Sequence, residues 1–212
     1  MRNNQINWLA ILVEAFFLVL GVLLALAATN WREDNKKKQS AEIALQSIAE
    51  ELASNHQQVT EALLYHGQIM DTLYKHMRAY PGPSAPVPSG DVFPKGFMNP
   101  ASPLSGAWEA AIATGVIENA SYEKVRMVSQ VYEMQEQYDV QSQAVGQQIY
   151  GRMFEEGMSG ILKNYRNLAQ IVGAFFYTEC GLLTEYAAVV PALRGDSTQL
   201  AIPQFCQNLP AR

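Results

Sequence analysis

The hydrophobic pattern of the chain begins with one apolar stretch that predicts a membrane-spanning helix. From Ile6 to Ala28 the only charged side chain is Glu14, and a tryptophan stands near each end, at Trp8 and Trp31. About 20 residues at 1.5 Å per residue cross a hydrocarbon core of about 30 Å. Tryptophan and basic residues are typical of the membrane interface. Trp8, Trp31 and Arg32 are therefore predicted interface anchors.

Small and polar residues of this stretch fall on one side of the predicted helix. At 100° per residue, the positions within about 40° of Glu14 include Asn7, Ala10, Gly21, Ala25 and Ala28. An ionisable group inside lipid is costly and marks a partner or a functional site. Gly21 and Ala25 also form a small-xxx-small pair, which lets helices approach closely. We predict an intramembrane contact face here, with a chance alignment of common small residues as the alternative.

The apolar run exceeds the usual length of a signal-peptide core, and no A-x-A site precedes a clear mature start. A retained anchor is therefore favoured. Cleavage among the small residues that end at Ala28 remains the alternative.

The next segment, residues 32–80, predicts one long amphipathic helix that continues the span. Its apolar residues repeat about every 3.5 positions, which is typical of a packing seam: Leu45, Ile48, Leu52, Val59, Ala62, Ile69, Leu73 and Tyr80. Asn55, His66 and His76 fill the remaining seam positions. Since polar seam residues weaken a pure coiled coil, the pattern favours a helix packed within a bundle.

Residues 81–103 form a proline-rich connection. They hold seven of the ten prolines, so no helix propagates through them. Three apolar side chains in this segment, Phe93, Phe97 and Met98, are candidates for contact with a partner outside the membrane.

Residues 104–193 predict the remaining helices of the bundle. We expect a short helix from Leu104 to about Ala113, and a longer helix that Ser121 caps and that runs through Tyr150. A third helix is expected from about Ser159 to Val190, ended by Pro191.

Two features of this region have alternative readings. The apolar run 168–193 resembles a second span, but Glu179 and Glu185 make a buried core helix the better interpretation. Trp108 is interpreted as a core anchor, with an exposed hot spot as the alternative.

The predicted fold class is all-α: a single N-terminal transmembrane helix that continues into an extramembrane helical bundle. The chain divides into a tail and membrane anchor (1–31), a long helix (32–80), the proline-rich connection (81–103), the rest of the bundle (104–193) and an irregular tail (194–212). With 212 residues and a formal net charge of −5, the chain has no basic stripe, and nucleic acid is not a predicted partner.

Two observations disagree about which side of the membrane the bundle occupies. Arg2 precedes the span, whereas Arg32 and the lysines at 36–38 follow it, and the basic excess favours a cytoplasmic bundle. Cys180 and Cys206 are an even pair suited to a disulfide, which persists in oxidising compartments. Two buried thiols are the alternative. We expect a bacterial inner-membrane protein with a periplasmic C-terminal domain.

The sequence offers no recognised catalytic equipment. It contains no P-loop, dinucleotide-binding, zinc-protease, nucleophile-elbow or C-x-x-C motif. His56, His66 and His76 are ten residues apart and so do not share one helix face, and no metal or cofactor site is predicted. We expect that the protein is not an enzyme, although a site assembled from distant helices is not visible in a sequence.

Two segments carry a family resemblance. Residues 20–33, LGVLLALAATNWRE, and residues 105–115, SGAWEAAIATG, resemble bacterial single-span membrane proteins of a domain family without an assigned activity. These proteins begin with a G-x-x-x-A-L membrane helix that ends in N-W, followed by a long charged helix. The resemblance covers about the first 60 residues and roughly 105–135, and it implies an anchored helical fold. The long proline-rich segment and the cysteines depart from that pattern.

Together these features predict a non-catalytic, membrane-anchored accessory subunit that stabilises, assembles or scaffolds a larger inner-membrane complex. The expected partners are other membrane proteins and the lipid bilayer, with a second copy of this chain as a further possibility. The alternative is an envelope sensor or signalling protein whose helical domain binds a ligand.

Overall fold

The computed structural model describes residues 8–197 and 199–207, with the backbone alone at 9–11. Within this part of the chain there is no strand, and the all-α prediction is confirmed. The elements are α1 (Trp8–Ala79), α2 (Gly106–Ala113), α3 (Tyr122–Lys163), α4 (Tyr165–Arg194) and α5 (Gln204–Gln207), with 3-10 turns at Gly90–Val92 and Val116–Asn119.

Helix α1 runs without interruption for 72 residues. It contains no proline, and only Gly21 and Gly67 lack a side chain, so nothing in the sequence stops its propagation. The predicted apolar seam is buried from Leu45 to Leu73. Tyr80 is the exception, at 47 % exposed, because the helix has ended at Ala79.

Helix α4 packs antiparallel along α1 and also contacts α3. Three pairs show the direction: Tyr165 meets His76, Glu179 meets His66, and Tyr186 meets His56. The residue number therefore rises along α4 while it falls along α1. The face of α4 that contacts α1 is buried, so the run 168–193 is a core helix in this structure rather than a free apolar surface.

Helix α3 begins as predicted, since the hydroxyl of Ser121 accepts a hydrogen bond from the backbone N–H of Lys124. The predicted end near Tyr150 is wrong, because the helix continues to Lys163. Gly157 interrupts it with φ 68° and ψ −179°. A glycine adopts this conformation at little cost, so the chain bends there and resumes its helix.

Helix α4 passes through Pro191, which corrects the prediction that this proline ends it. A proline removes one helical hydrogen bond, but its fixed φ fits the helix. The stop comes from Gly195, whose left-handed φ of 68° lets its N–H reach the carbonyl of Pro191 at 2.8 Å. The chain then returns to α4, which the short helix α5 contacts.

The first part of α1 has no partner among the described residues. From Leu12 to Gln39 every side chain is exposed, and the first buried residue is Ala41. This is the one described helix that is long and apolar enough to cross a bilayer.

Candidate functional site

The predicted intramembrane face lies on this partnerless part of α1. Glu14, Gly21, Ala25 and Ala28 are all exposed, and a Cβ atom at Gly21 would meet no other atom within 4 Å. Asn7 lies outside the described residues, and so does the side chain of Ala10. The chain therefore leaves this stripe open to a neighbour.

The three predicted interface anchors are exposed as well. Trp8 and Trp31 are 70 % and 68 % exposed, and Arg32 follows directly. With a rise of 1.5 Å per residue, the two tryptophans stand about 35 Å apart along the axis. That spacing fits a hydrocarbon core of about 30 Å with one ring at each boundary.

The proline-rich segment turns inward rather than outward. Phe93 and Met98 are 7 % and 5 % exposed, and the Phe97 ring packs on Phe93 with 4.6 Å between centroids. Phe93 and Met98 belong to the core of the chain itself, and the partly buried Phe97 packs against that core. Burial of their apolar area is favourable at about 25 cal/mol per Å².

The polar seam residues of α1 bind the backbone of this segment and of Leu104, the residue that directly follows it. The amide of Asn55 exchanges two hydrogen bonds with Leu104, one to its carbonyl and one from its N–H, both 2.8 Å long. His66 binds the carbonyl of Met98 at 2.6 Å, and His76 binds that of Pro86 at 2.8 Å. Because a proline-rich segment forms no regular backbone ladder, side chains from the neighbouring helix satisfy its carbonyls instead.

At the centre of this arrangement His66 pairs with Glu179. Both side chains are fully buried, and Nδ1 of His66 lies 2.8 and 2.9 Å from the two carboxyl oxygens. Nε2 faces the carbonyl of Met98, which has no proton to give, so Nε2 is the donor there. One further proton lies between Nδ1 and the carboxyl group. The pair is therefore neutral as a whole, whichever partner carries that proton.

Tyr138 of α3 completes the cluster. Its hydroxyl donates to Oε1 of Glu179 at 2.8 Å and accepts a hydrogen bond from the N–H of Ala101 at 3.0 Å. Burial raises the pKa of Glu179, while the hydrogen bonds from His66 and Tyr138 act in the opposite direction. Burial, together with the nearby carboxyl group of Glu179, also raises the pKa of Tyr138. Each polar atom of the cluster is occupied by the chain, so the cluster joins α1, α3, α4 and the proline-rich segment.

A second polar layer lies closer to the N-terminal end of the buried part of α1. Gln135 accepts hydrogen bonds from Asn55 at 3.1 Å and from the Tyr186 hydroxyl at 2.9 Å. Glu51 accepts one from the Tyr132 hydroxyl at 2.6 Å and one from the N–H of Ala107 at 2.9 Å. These contacts fix α2 and its approach to α1.

Trp108 is partly buried and stacks on Tyr132, with 5.5 Å between centroids and 7° between planes. An open groove of about 520 Å³ runs beside this stack, and four of its ten lining residues are acidic: Glu109, Glu133, Glu136 and Asp139. Burial raises the pKa of Asp139.

His56 differs from the other two histidines of α1. It is 8 % exposed, and its Nε2 has no hydrogen-bond partner. Burial lowers the pKa of His56, an effect that the backbone of Ala201 partly opposes. The histidines at 56, 66 and 76 thus have separate surroundings. Among the described residues, no group of three His, Cys, Asp or Glu side chains is placed to hold a metal ion.

The two cysteines form a disulfide, with 5.2 Å between the Cα atoms of Cys180 and Cys206. Both residues are buried. Phe205 stacks on Phe176 of α4 beside the bridge, with ring centroids 5.1 Å apart. The bridge and this stack fasten Phe205 and Cys206 to α4.

Glu179 and Tyr138 are the members of the central cluster that sequence reasoning missed. A carboxylate within the apolar run 168–193 was a signal, because a buried charge requires a partner. His66 on the apolar seam of α1 gave the matching signal. Nothing in one sequence shows that the two meet, since 113 residues separate them.

Comparisons of the chain with family models, with curated proteins and with solved structures find no match.

Proposed function

We propose that the protein is a membrane-anchored, non-catalytic accessory subunit that uses the first part of α1 to hold a partner within a larger membrane complex. The span lies between Trp8 and Trp31, and the helices that follow form an extramembrane bundle. The observation that carries the proposal is the apolar, partnerless surface of α1 from Leu12 onward.

That surface requires an apolar environment. Phe16, Phe17 and Leu18 are each more than 60 % exposed, and the other large apolar side chains from Leu12 to Leu26 are 37–65 % exposed. Soluble monomers rarely expose contiguous apolar patches beyond a few hundred Å². A bilayer covers such a helix on all sides, and it satisfies the length requirement at the same time.

Within the span, lipid is a poor neighbour for the stripe of Glu14, Gly21 and Ala25. A carboxyl group in hydrocarbon costs about 2.5–3.5 kcal/mol on insertion scales. A second helix that packs on the small residues can offer a hydrogen-bond partner to Glu14. The partner we propose is therefore another membrane helix.

The bundle side of α1 supports a structural role. Its ionisable and polar seam residues, from Asn55 to His76, are bound to the chain's own backbone and side chains. These contacts hold the helices and the proline-rich segment to α1, which continues without a break into the proposed span. A rigid domain on a continuous helix suits a scaffold that positions a partner.

We place the bundle on the periplasmic side of a bacterial inner membrane. The Cys180–Cys206 disulfide supports an oxidising compartment. The basic residues after the span favour the opposite orientation, but that rule weakens when a long domain follows. Alkylation of the protein in intact cells, with and without prior reduction, tests the assignment. Free thiols at both cysteines would contradict it.

The association is tested by replacing both Glu14 and Gly21 with leucine. The tagged full-length protein is purified from its membrane in a mild detergent, and its native mass and associated proteins are measured. We expect the wild type to carry stoichiometric membrane partners and the E14L/G21L variant to lose them.

A matched control replaces Phe16 and Val19, on the opposite side of the helix, with leucine. This variant should keep the partners. A wild-type monomer, or an E14L/G21L variant with unchanged association, would refute the proposed contact face. A wild-type homo-oligomer would make a second copy of this chain the partner.

A further inference from the structure

Between the span and the bundle, α1 has a short solvated section that we call the stalk, residues 32–39. It is helical, and all of its side chains are exposed. The bundle begins only at Ala41, which is 1 % exposed. The stalk therefore passes through the space just outside the membrane without protein around it, in the described part of the chain.

The stalk carries a positive charge in a negative protein. It contains Arg32 and three consecutive lysines at 36–38, against Glu33 and Asp34, which leaves a net charge of four minus two, or +2. The whole chain carries −5. The ion pairs of the described residues lie elsewhere, for example Lys75 with Asp71 and Lys124 with Glu42. The stalk cations are thus available to an external anion.

The three stalk lysines lie at the level of the lipid headgroups. With a rise of 1.5 Å per residue, the backbone of Lys36 to Lys38 stands about 8 to 11 Å beyond Trp31. Side chains of a helix lean toward its N-terminus, which here is the membrane side. The headgroup layer extends about 5–8 Å beyond the hydrocarbon core, so the three ammonium groups come within its reach.

Their directions fit a lipid surface as well. Successive residues are separated by 100°, and Lys36, Lys37 and Lys38 therefore point to three sides of one helical turn. A single protein partner would approach from one side. Lipids surround the helix and can meet all three.

We infer that the stalk binds anionic phospholipid headgroups in preference to zwitterionic ones. The inference rests on the proposed membrane insertion and adds the lipid class that the anchor prefers. Each lysine near an anionic surface contributes roughly a five-fold preference. The contacts are exposed, so salt screens them over about 10 Å at 0.1 M.

The test uses the full-length protein in phosphatidylcholine vesicles that contain a minor share of brominated lipid, either phosphatidylglycerol or phosphatidylcholine. Bromine quenches tryptophan at short range. Replacing Trp8 with phenylalanine leaves Trp31 as the tryptophan at the membrane, while Trp108 lies in the bundle. We expect stronger quenching of Trp31 by the brominated phosphatidylglycerol, and a smaller difference at high salt.

Two variants distinguish an effect of the stalk lysines from an effect of the protein's net charge. The K36Q/K37Q/K38Q variant should lose most of the preference, whereas K75Q/K95Q/K163Q, with the same change in net charge, should keep it. Equal quenching by the two lipids in the wild type, or equal loss in both variants, would overturn the inference and leave the anchor intact. No quenching by either lipid, with protein that does not float with the vesicles, would overturn the membrane insertion itself.

Discussion

His66 and Glu179 form a neutral, fully buried pair that connects the seam of α1 to the centre of α4. The pair also reaches the proline-rich segment through Met98 and helix α3 through Tyr138. Four parts of the chain therefore depend on one cluster. We expect the cluster to contribute more to the specificity of this arrangement than to its stability, because an apolar pair of similar volume can be equally stable in a core.

Replacing Glu179 alone with leucine should be strongly destabilising. His66 and Tyr138 then lose a buried acceptor, and removal of one partner from a buried pair costs about 3–5 kcal/mol. The double variant H66L/E179L should cost less than the sum of the two single changes, by about 1–3 kcal/mol. Urea unfolding of the protein in detergent, followed by circular dichroism, measures the free energy of unfolding of H66L, E179L and H66L/E179L.

The exposed pair of Asp71 and Lys75 provides the control for this comparison. Its side chains are 54 % and 68 % exposed, and D71N should change stability by less than about 1 kcal/mol. If H66L and E179L were additive in their effects, the pair would not be an energetic unit.

The sequence predicts α1 well because the helix has no breaker and its apolar spacing is regular over eight positions. The same logic placed Ser121 as a helix cap. That logic is wrong at two helix ends: α3 continues past Tyr150 and bends at Gly157 without ending there, and α4 passes through Pro191. Periodicity along one helix carries no information about its partner.

The proline-rich segment shows the same limit at the candidate site. Phe93 and Met98 stand among prolines, and from sequence their apolar side chains have no visible neighbour. Their burial depends on the polar seam of α1, which binds the backbone around them. The sequence pattern marks those polar positions as a departure from a coiled coil, but the segment that they bind is distant in sequence.

Gly157 should be intolerant of a side chain. Its φ of 68° and ψ of −179° lie in a region that essentially only glycine adopts, and alanine there is strained by about 1–3 kcal/mol. Gly151 lies in the regular part of the same helix with open space around it. G151A should stabilise by about 0.5–1 kcal/mol. Thermal unfolding of the two variants gives opposite signs, and a stabilising G157A would show that the bend is not required.

Removing the disulfide should weaken the attachment of the tail. The bridge joins residues 26 apart, for which the chain-entropy model gives about 3–4 kcal/mol. We expect C180S/C206S to unfold at lower urea and to be cleaved by protease near Phe205, while the rest of the bundle resists. Equal cleavage of the wild type would indicate that the Phe205–Phe176 stack and the bridge do not hold the tail.

His56 should make stability depend on pH. Burial lowers its pKa in the folded state, so the unfolded chain binds the proton more readily. Stability is therefore complete above the ordinary histidine pKa of about 6.5 and is lost as pH falls through that value toward the lower folded pKa. The neighbours that the structure gives this ring are Tyr186 and the backbone of Ala201. Neither of them supplies a negative charge that would offset the proton.

The measurement compares urea midpoints of the wild type and H56F at about pH 7.5 and about pH 5. Glu179 has a raised pKa and contributes with the opposite sign, since protonation of the folded state stabilises it as pH falls. That contribution is common to both proteins and cancels in the difference. The wild type should lose more stability than H56F on acidification. Parallel pH profiles would mean that His56 keeps an ordinary pKa when the chain is folded, and that the tail near Ala201 admits water to its ring.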